Sequence, residues 1–263
     1  MCRQLAYVGP EVPFGQVLVA PPHGLYRQSW APRRQRHGTV NADGFGVGWY
    51  APGDPVPARY RRSGPVWGDA AFADLGRVVR TGALLAAVRD ATESGSDGEA
   101  AAAPYTEGPW LFGHNGAVSG WPGSLARPAA RLPAGDLLTL EARCDAAFLW
   151  ALVRERLRTG DMMGAARPED AGNALASVVA EVAGAAPGSR LNLLLTDGRA
   201  VMATAWGDTL WYLTGPGARV VVASEPYDDD PRWREVPDRT LLVARPAPDG
   251  TEPVSLTPLK ESP

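Results

Sequence analysis

Cys2, next to the initiator methionine, is the residue of this chain best suited to covalent chemistry. Removal of Met1 would expose a thiol and a free α-amine on one residue. An α-amine has a reference pKa of about 7.7–8.0, so near neutral pH it can take the thiol proton, directly or through a water. A second-position cysteine also arises by chance, and Cys2 acquires meaning only from its company. Arg89 ends the apolar run Leu85-Ala86-Ala87-Val88. A guanidinium there offers a fork of donors to a carboxylate, although alone it would read as a surface ion pair. His114-Asn115-Gly116 closes another apolar run, Trp110–Gly113. An Asn amide and a Gly N–H at that point can aim at one spot, as an oxyanion hole requires; the tripeptide equally suits a tight hairpin turn. Asp145 opens a helical pattern, either as a plain N-cap or as a carboxylate for an ammonium group.

Together these residues describe one ligand. Arg89 takes an α-carboxylate, Asp145 an α-amino group, and Cys2 with Asn115 and Gly116 addresses a carbonyl further along. That ligand is a γ-linked glutamyl group, as in glutamine or a γ-glutamyl amide.

The elements that must hold these groups are legible in outline. A strand at Arg3–Val8 begins immediately after Cys2. Residues 10–40, rich in Pro, Gly, Arg and His, read as a long irregular segment with one short helix at Gly15–Val19. Phe45–Tyr50 alternates Gly with larger residues, which predicts a strand that another backbone approaches closely; Arg59–Arg62 is its expected partner. A helix follows at Ala71–Arg80 and a buried strand at Leu84–Val88. Glu93–Ala103 reads as a flexible surface excursion. Helical spacing of Phe148, Leu149, Leu152 and Val153 predicts a helix over Asp145–Leu157. Pro168-Glu169-Asp170 opens a second. Short strands then run at Leu191–Thr196, Ala200–Trp206, Thr209–Leu213, Val220–Ser224 and Thr240–Ala244, before a Pro-rich tail. Strands, two helices, then strands again predict a layered α+β sandwich in one domain over residues 2–263.

The balance of the chain narrows its partners. With 263 residues and 45% apolar content it can bury a large core. A formal net charge of −3 argues against nucleic acid or an anionic membrane as the main partner. Two cysteines, Cys2 and Cys144, and three histidines show no metal-ligand spacing, so neither metal nor other cofactor is expected. No signal peptide and no apolar run long enough to cross a bilayer is visible, which predicts a cytoplasmic protein. Oligomeric state is left open. Cys144, beside Asp145, reads as a small buried residue at a helix start.

These motifs, in this order, resemble the class II glutamine amidotransferases of the N-terminal-nucleophile hydrolase superfamily. The matching pieces are Met1-Cys2-Arg3, Asn41-Ala42-Asp43-Gly44-Phe45-Gly46-Val47-Gly48-Trp49-Tyr50, Val88-Arg89-Asp90-Ala91-Thr92, His114-Asn115-Gly116 and Asp145. The stretch from Gln28 to Asn41, with Ala223-Ser224-Glu225-Pro226-Tyr227-Asp228 and Trp233-Arg234-Glu235-Val236-Pro237, resembles the γ-glutamyl-hercynylcysteine sulfoxide hydrolase branch, which serves ergothioneine biosynthesis. The resemblance implies a four-layer αββα sandwich with two mainly antiparallel sheets between helices, and removal of glutamate from a small sulfur-bearing substrate. It implies Cys2, Asn115 and Gly116 as catalytic residues and Arg89, Thr92, His114 and Asp145 as substrate-binding ones. Two departures stand out. Asp90 occupies a place where a small residue is expected, and Arg143-Cys144-Asp145-Ala146-Ala147 lacks the Ser-rich run usual nearby.

With no second catalytic domain behind these motifs, hydrolysis by water is the expected outcome, rather than transfer of ammonia. A trimethylammonium-bearing leaving group favours an aromatic wall. Trp30, Trp49, Tyr50, Trp110 and Trp121 flank the motifs, and Trp30, on the irregular segment, is the leading candidate. Two rival readings remain: an amidohydrolase for glutamine or glutathione-type peptides, with or without a partner subunit, and an inactive γ-glutamyl-binding module.

Overall fold

Strand periodicity sets the architecture around Cys2. Along the first strand Leu5 and Tyr7 pack into one apolar layer while Ala6 and Val8 pack into another, because successive side chains point to opposite faces. A computed structural model describes residues 2–91, 98–164, 166–247 and 253–260. Its strands are β1 (Arg3–Pro13), β2 (Phe45–Trp49), β3 (Ala58–Arg62), β4 (Arg80–Val88), β5 (Tyr105–Glu107), β6 (Trp110–Ala117), β7 (Arg190–Thr196), β8 (Val201–Ala205), β9 (Trp211–Gly215), β10 (Arg219–Ala223), β11 (Arg234–Glu235), β12 (Thr240–Ala244) and β13 (Val254–Pro258).

They form two antiparallel sheets. The first has the order β11-β9-β10-β1-β4-β2-β3 and the second β13-β12-β8-β7-β6-β5. β1 is central in the first, paired with β4 in the register Arg3↔Val88 and with β10 in the register Leu5↔Ala223. The layer between the sheets is built from Ala6, Val8, Leu85, Leu111, Leu194 and Val222, among others. Helices cover both outer faces. The helix Ala70–Val78 and two single-turn helices, Gly15–Leu18 and Leu25–Gln28, supply Phe72, Leu18 and Leu25 to the outer face of the first sheet. The long helices Asp145–Thr159 and Pro168–Ala185 cover the second, with Trp150 stacked on Phe112 at 5.3 Å between ring centroids. This is the expected αββα sandwich. No helix among the described residues is long and apolar enough to cross a membrane.

The glycines of β2 explain its tight packing. A Cβ on Gly46 would lie 2.3 Å from the Ala103 carbonyl oxygen, so another backbone does approach this strand. Several boundaries differ from expectation. β1 continues to Pro13 past an irregularity between Val8 and Val12, shortening the irregular segment. That segment also carries the second short helix, Leu25–Gln28. The Ala70–Val78 helix is capped by Asp69, which accepts the Ala71 and Phe72 N–H groups, and it stops before Arg80 because β4 has begun there.

Three corrections matter for the site. His114-Asn115-Gly116 is not a tight turn: β6 runs through it to Ala117, pairing Asn115 with Asn192 and Gly116 with Leu191. A neighbouring strand of matching length outweighs the turn propensity of Asn-Gly. The Glu93–Ala103 excursion falls partly on residues 92–97, outside the described residues. Its C-terminal part is a 3-10 turn at Gly98–Ala101 followed by buried Ala102 and Ala103, not an exposed loop. The Pro-rich tail contributes an edge strand, β13.

Candidate active site

Cys2 precedes β1, and strand alternation assigns it the same face as Gln4 and Ala6, toward the second sheet. Gln4 confirms that direction, since its Nε2 donates to the Asn192 carbonyl of β7 at 2.9 Å. The Cys2 side chain lines a cavity of about 200 Å³ that Arg89, Asp90, His114, Gly116, Trp121, Cys144 and Asp145 also line. Four separate elements thus deliver their motif residues to one place: the start of β1, the end of β4, the end of β6 and the first turn of the Asp145–Thr159 helix.

Burial pushes the Cys2 thiol above its ordinary value. The Asp90 backbone N–H, hydrogen-bonded to the sulfur, and the Arg89 guanidinium pull it back, while the Asp145 carboxylate adds to the rise. Desolvation disfavours the thiolate, and nearby positive charge restores part of it. Such a thiol needs a base beside it to attack at neutral pH.

Arg89 is fixed at its backbone and at its head. Its N–H donates to the Gly44 carbonyl at 2.8 Å, its carbonyl accepts the Asp43 N–H at 2.9 Å, and Nη1 donates to the Asp43 carbonyl at 3.0 Å. The Asp43 carboxylate in turn accepts the Ala91 N–H at 2.8 Å. Opposite, Asp145 is the first residue of its helix and Cys144 the N-cap, so the plain N-cap reading of Asp145 does not apply. Its carboxylate accepts the Val118 N–H at 3.0 Å and the Ala146 N–H at 2.7 Å. The helix terminus favours an anion there. The cavity lining therefore carries charges of both signs, Arg89 and Arg143 with Asp90 and Asp145.

On β6 the alternation splits the motif. Phe112 packs on the helix side and Leu111 between the sheets, so His114 and Asn115 take opposite faces. Buried His114 donates from Nε2 to the Arg190 carbonyl at 3.0 Å. Asn115 is fully buried beside the cavity rather than on its lining, with Nδ2 donating to Ser224 Oγ at 3.3 Å. An Asn amide has two N–H donors, and Ser224 takes one. Gly116 lines the cavity, and β7 leaves it no room for a side chain: a Cβ would lie 1.9 Å from the Arg190 carbonyl oxygen.

Ser224 was missed by sequence reasoning as an individual residue. Its Oγ also accepts the Gln4 N–H at 3.0 Å, joining the β6 amide to β1. Next to it, fully buried Glu225 accepts the backbone N–H groups of Arg33 at 3.0 Å and Arg34 at 2.8 Å. A serine after a strand carries no chemical signature of its own; only the matching Ala223–Asp228 segment pointed here.

Of the expected binding residues that are described, Trp30 does not line the cavity. Trp30 is 40% exposed and packs edge-to-face on Tyr26 and Trp67, at 5.2 and 5.8 Å between ring centroids. Thr92 lies outside the described residues. Of the other aromatics, Trp49 and Trp110 are in the apolar cores, and Tyr50 donates its hydroxyl to the Pro109 and Thr196 carbonyls. Trp121 alone of the five lines the cavity, tilted against Phe148 at 5.5 Å. Asp90 turns toward the irregular segment, its Oδ2 2.0 Å from where a Gly38 Cβ would stand. Cys144 shares the cavity lining and contacts the Tyr105 hydroxyl at 3.4 Å; burial raises its thiol as well.

Comparison with known proteins gives the same direction. Residues 25–216 match the family of class II glutamine amidotransferases. A γ-glutamyl-hercynylcysteine sulfoxide hydrolase of Mycobacterium tuberculosis (strain CDC 1551 / Oshkosh) is 40% identical over 242 residues, 92% of each chain. One of Mycolicibacterium smegmatis is 40% identical over 247 residues, 94% of this chain and 97% of the relative. Among solved structures, a glutamine aminotransferase class-II domain protein from Silicibacter pomeroyi superposes with a TM-score of 0.66 at 19% identity, covering 99% of this chain and 100% of that one. Glutamine phosphoribosylpyrophosphate amidotransferase from B. subtilis superposes with a TM-score of 0.60 at 15% identity, covering 99% and 50%. At such identities the structural likeness speaks for the fold.

Proposed function

The chain belongs to the class II glutamine amidotransferases, and from that premise we propose that it hydrolyses the γ-glutamyl amide of γ-glutamyl-hercynylcysteine sulfoxide. The products are glutamate and hercynylcysteine sulfoxide, a step of ergothioneine biosynthesis. Relatives with that activity in their names match it over more than nine-tenths of its length. The observation that carries the reading is the shared cavity: Cys2, Arg89, Asp145 and Gly116 line one space of about 200 Å³.

In this reading Met1 is removed and the Cys2 α-amine takes the thiol proton. The thiolate attacks the γ-carbonyl while Arg89 holds the α-carboxylate and Asp145 the α-ammonium. The Gly116 N–H and the second Asn115 N–H receive the developing oxyanion, each contributing about 2.7–4 kcal/mol to the transition state. The α-ammonium gives its proton to the leaving nitrogen, which departs as the free amine and leaves a γ-glutamyl thioester. Water then adds to the thioester, its proton passing to the same α-amine, and glutamate leaves as the Cys2–carbonyl bond breaks. His114 supports this geometry by tying β6 to β7 beside Gly116.

The test is a comparison of kcat/KM for γ-glutamyl-hercynylcysteine sulfoxide, glutamine and glutathione with the purified protein. The sulfoxide should be preferred by at least about a hundredfold, the discrimination a few well-placed contacts provide. Preference for glutamine or glutathione would refute the substrate assignment and leave the amidohydrolase chemistry standing.

A further inference from the structure

Behind the nucleophile lies a buried ion pair that the mechanism above does not use. Arg3 is 1% exposed and Glu225 fully buried, with Nη1 and Oε2 3.9 Å apart. Each partner holds something else. Arg3 Nε donates to the carbonyl of Cys2 at 3.1 Å, gripping the backbone of the nucleophile itself. Glu225 spreads its two oxygens over the Arg33 and Arg34 backbone N–H groups. The Arg33 side chain reinforces that anchorage, reaching the Pro226 carbonyl at 3.2 Å and Asp229 at 2.9 Å. Five residues after Arg33, Gly38 lies against the carboxylate of Asp90, which lines the cavity. Residues 33–38 therefore run from Glu225 to the rim of the active site.

We propose that Arg3 and Glu225 are a positioning pair: the guanidinium fixes the Cys2 carbonyl, the carboxylate seats the 33–38 segment at the cavity rim, and their buried contact makes the two placements one. Neither touches the reacting atoms. Two charges removed from water are retained at a cost, and hydrophobic residues could fill the same volume. Their hydrogen bonds to the nucleophile and to the rim segment give the pair a use. Through it, the segment that lies against Asp90 is registered against the sulfur that attacks.

The inference rests on the Cys2 reading, and the experiment separates the two. Arg3→Lys keeps a cation opposite Glu225 but has no Nε to hold the Cys2 carbonyl. It should lower kcat about tenfold, and slow alkylation of Cys2 by iodoacetamide, with KM and Tm close to the unaltered enzyme. Glu225→Gln keeps the shape but leaves one backbone N–H without an acceptor. It should raise KM for the γ-glutamyl sulfoxide about tenfold. In Arg3→Lys/Glu225→Gln the losses in kcat/KM should be less than multiplicative, since partners in one network are not additive. Arg3→Lys and Glu225→Gln kinetics within about twofold of an active wild type, or fully multiplicative losses in the double variant, would overturn the pair. A wild type with neither turnover nor Cys2 alkylation would overturn the nucleophile assignment together with it.

Discussion

Replacing Gly116 by alanine adds one methyl group at the most crowded point of the site. The new Cβ would stand 1.9 Å from the Arg190 carbonyl oxygen, 2.6 Å from its carbon and 2.7 Å from His114 Nε2. Real Cβ contacts stay beyond 3.0 Å, so β6 and β7 must part by about 1 Å or Gly116 must rotate out of register. Either movement breaks the Gly116↔Leu191 pairing and the His114–Arg190 hydrogen bond. Overpacking of this kind costs about 1–3 kcal/mol of stability. The catalytic loss is larger if, as proposed, the displaced N–H is an oxyanion donor, worth about 2.7–4 kcal/mol, or about a hundredfold to several hundredfold in kcat. The assay is steady-state hydrolysis of the γ-glutamyl substrate at a temperature where urea unfolding shows the variant folded. A folded Gly116→Ala enzyme with kcat within threefold of the wild type would refute the assignment of that N–H.

Three further outcomes follow from the same geometry. Arg89→Lys keeps the charge and loses the planar fork, so KM should rise about tenfold or more with a smaller change in kcat. Ser224→Ala removes the shared acceptor for the Asn115 amide and the Gln4 N–H. Steady-state kinetics should show kcat lowered about tenfold, and urea unfolding a stability loss of about 1–2 kcal/mol. Because the Arg89 guanidinium opposes the burial that raises the Cys2 thiol, Arg89→Met should move the midpoint of the Cys2 alkylation–pH profile upward. A midpoint unchanged or lowered would contradict the electrostatic account of the thiol.

The sequence carried the long periodic elements and the chemistry of the motif ends. The Asp145–Thr159 and Pro168–Ala185 helices and the central strands follow from apolar spacing and helix-start residues that are local in the chain. Cys2, Arg89 and Asp145 were legible because each ends or opens such an element, which is where a side chain can face a cavity. Local reasoning failed where a distant partner decides. Asn115 and Gly116 lie in a strand because β7 pairs with them, and nothing between Trp110 and Ala117 reports that. Ala101–Ala103 are buried because β2 and the Arg61 side chain of β3 close on them, although their composition resembles a surface loop. Trp30 was favoured for standing on an irregular segment, but other aromatics supply its partners at the surface. Ser224 and Glu225 act through hydrogen bonds to residues about 110 to 220 positions away in the chain, a distance over which no spacing rule reaches.

The most direct test of the nucleophile is an intact-mass measurement after incubation with a γ-glutamyl electrophile, followed by peptide mapping. The account predicts one adduct per chain, on the N-terminal peptide, attached to Cys2 with Met1 absent. No adduct, or an adduct on Cys144 across the same cavity, would contradict it.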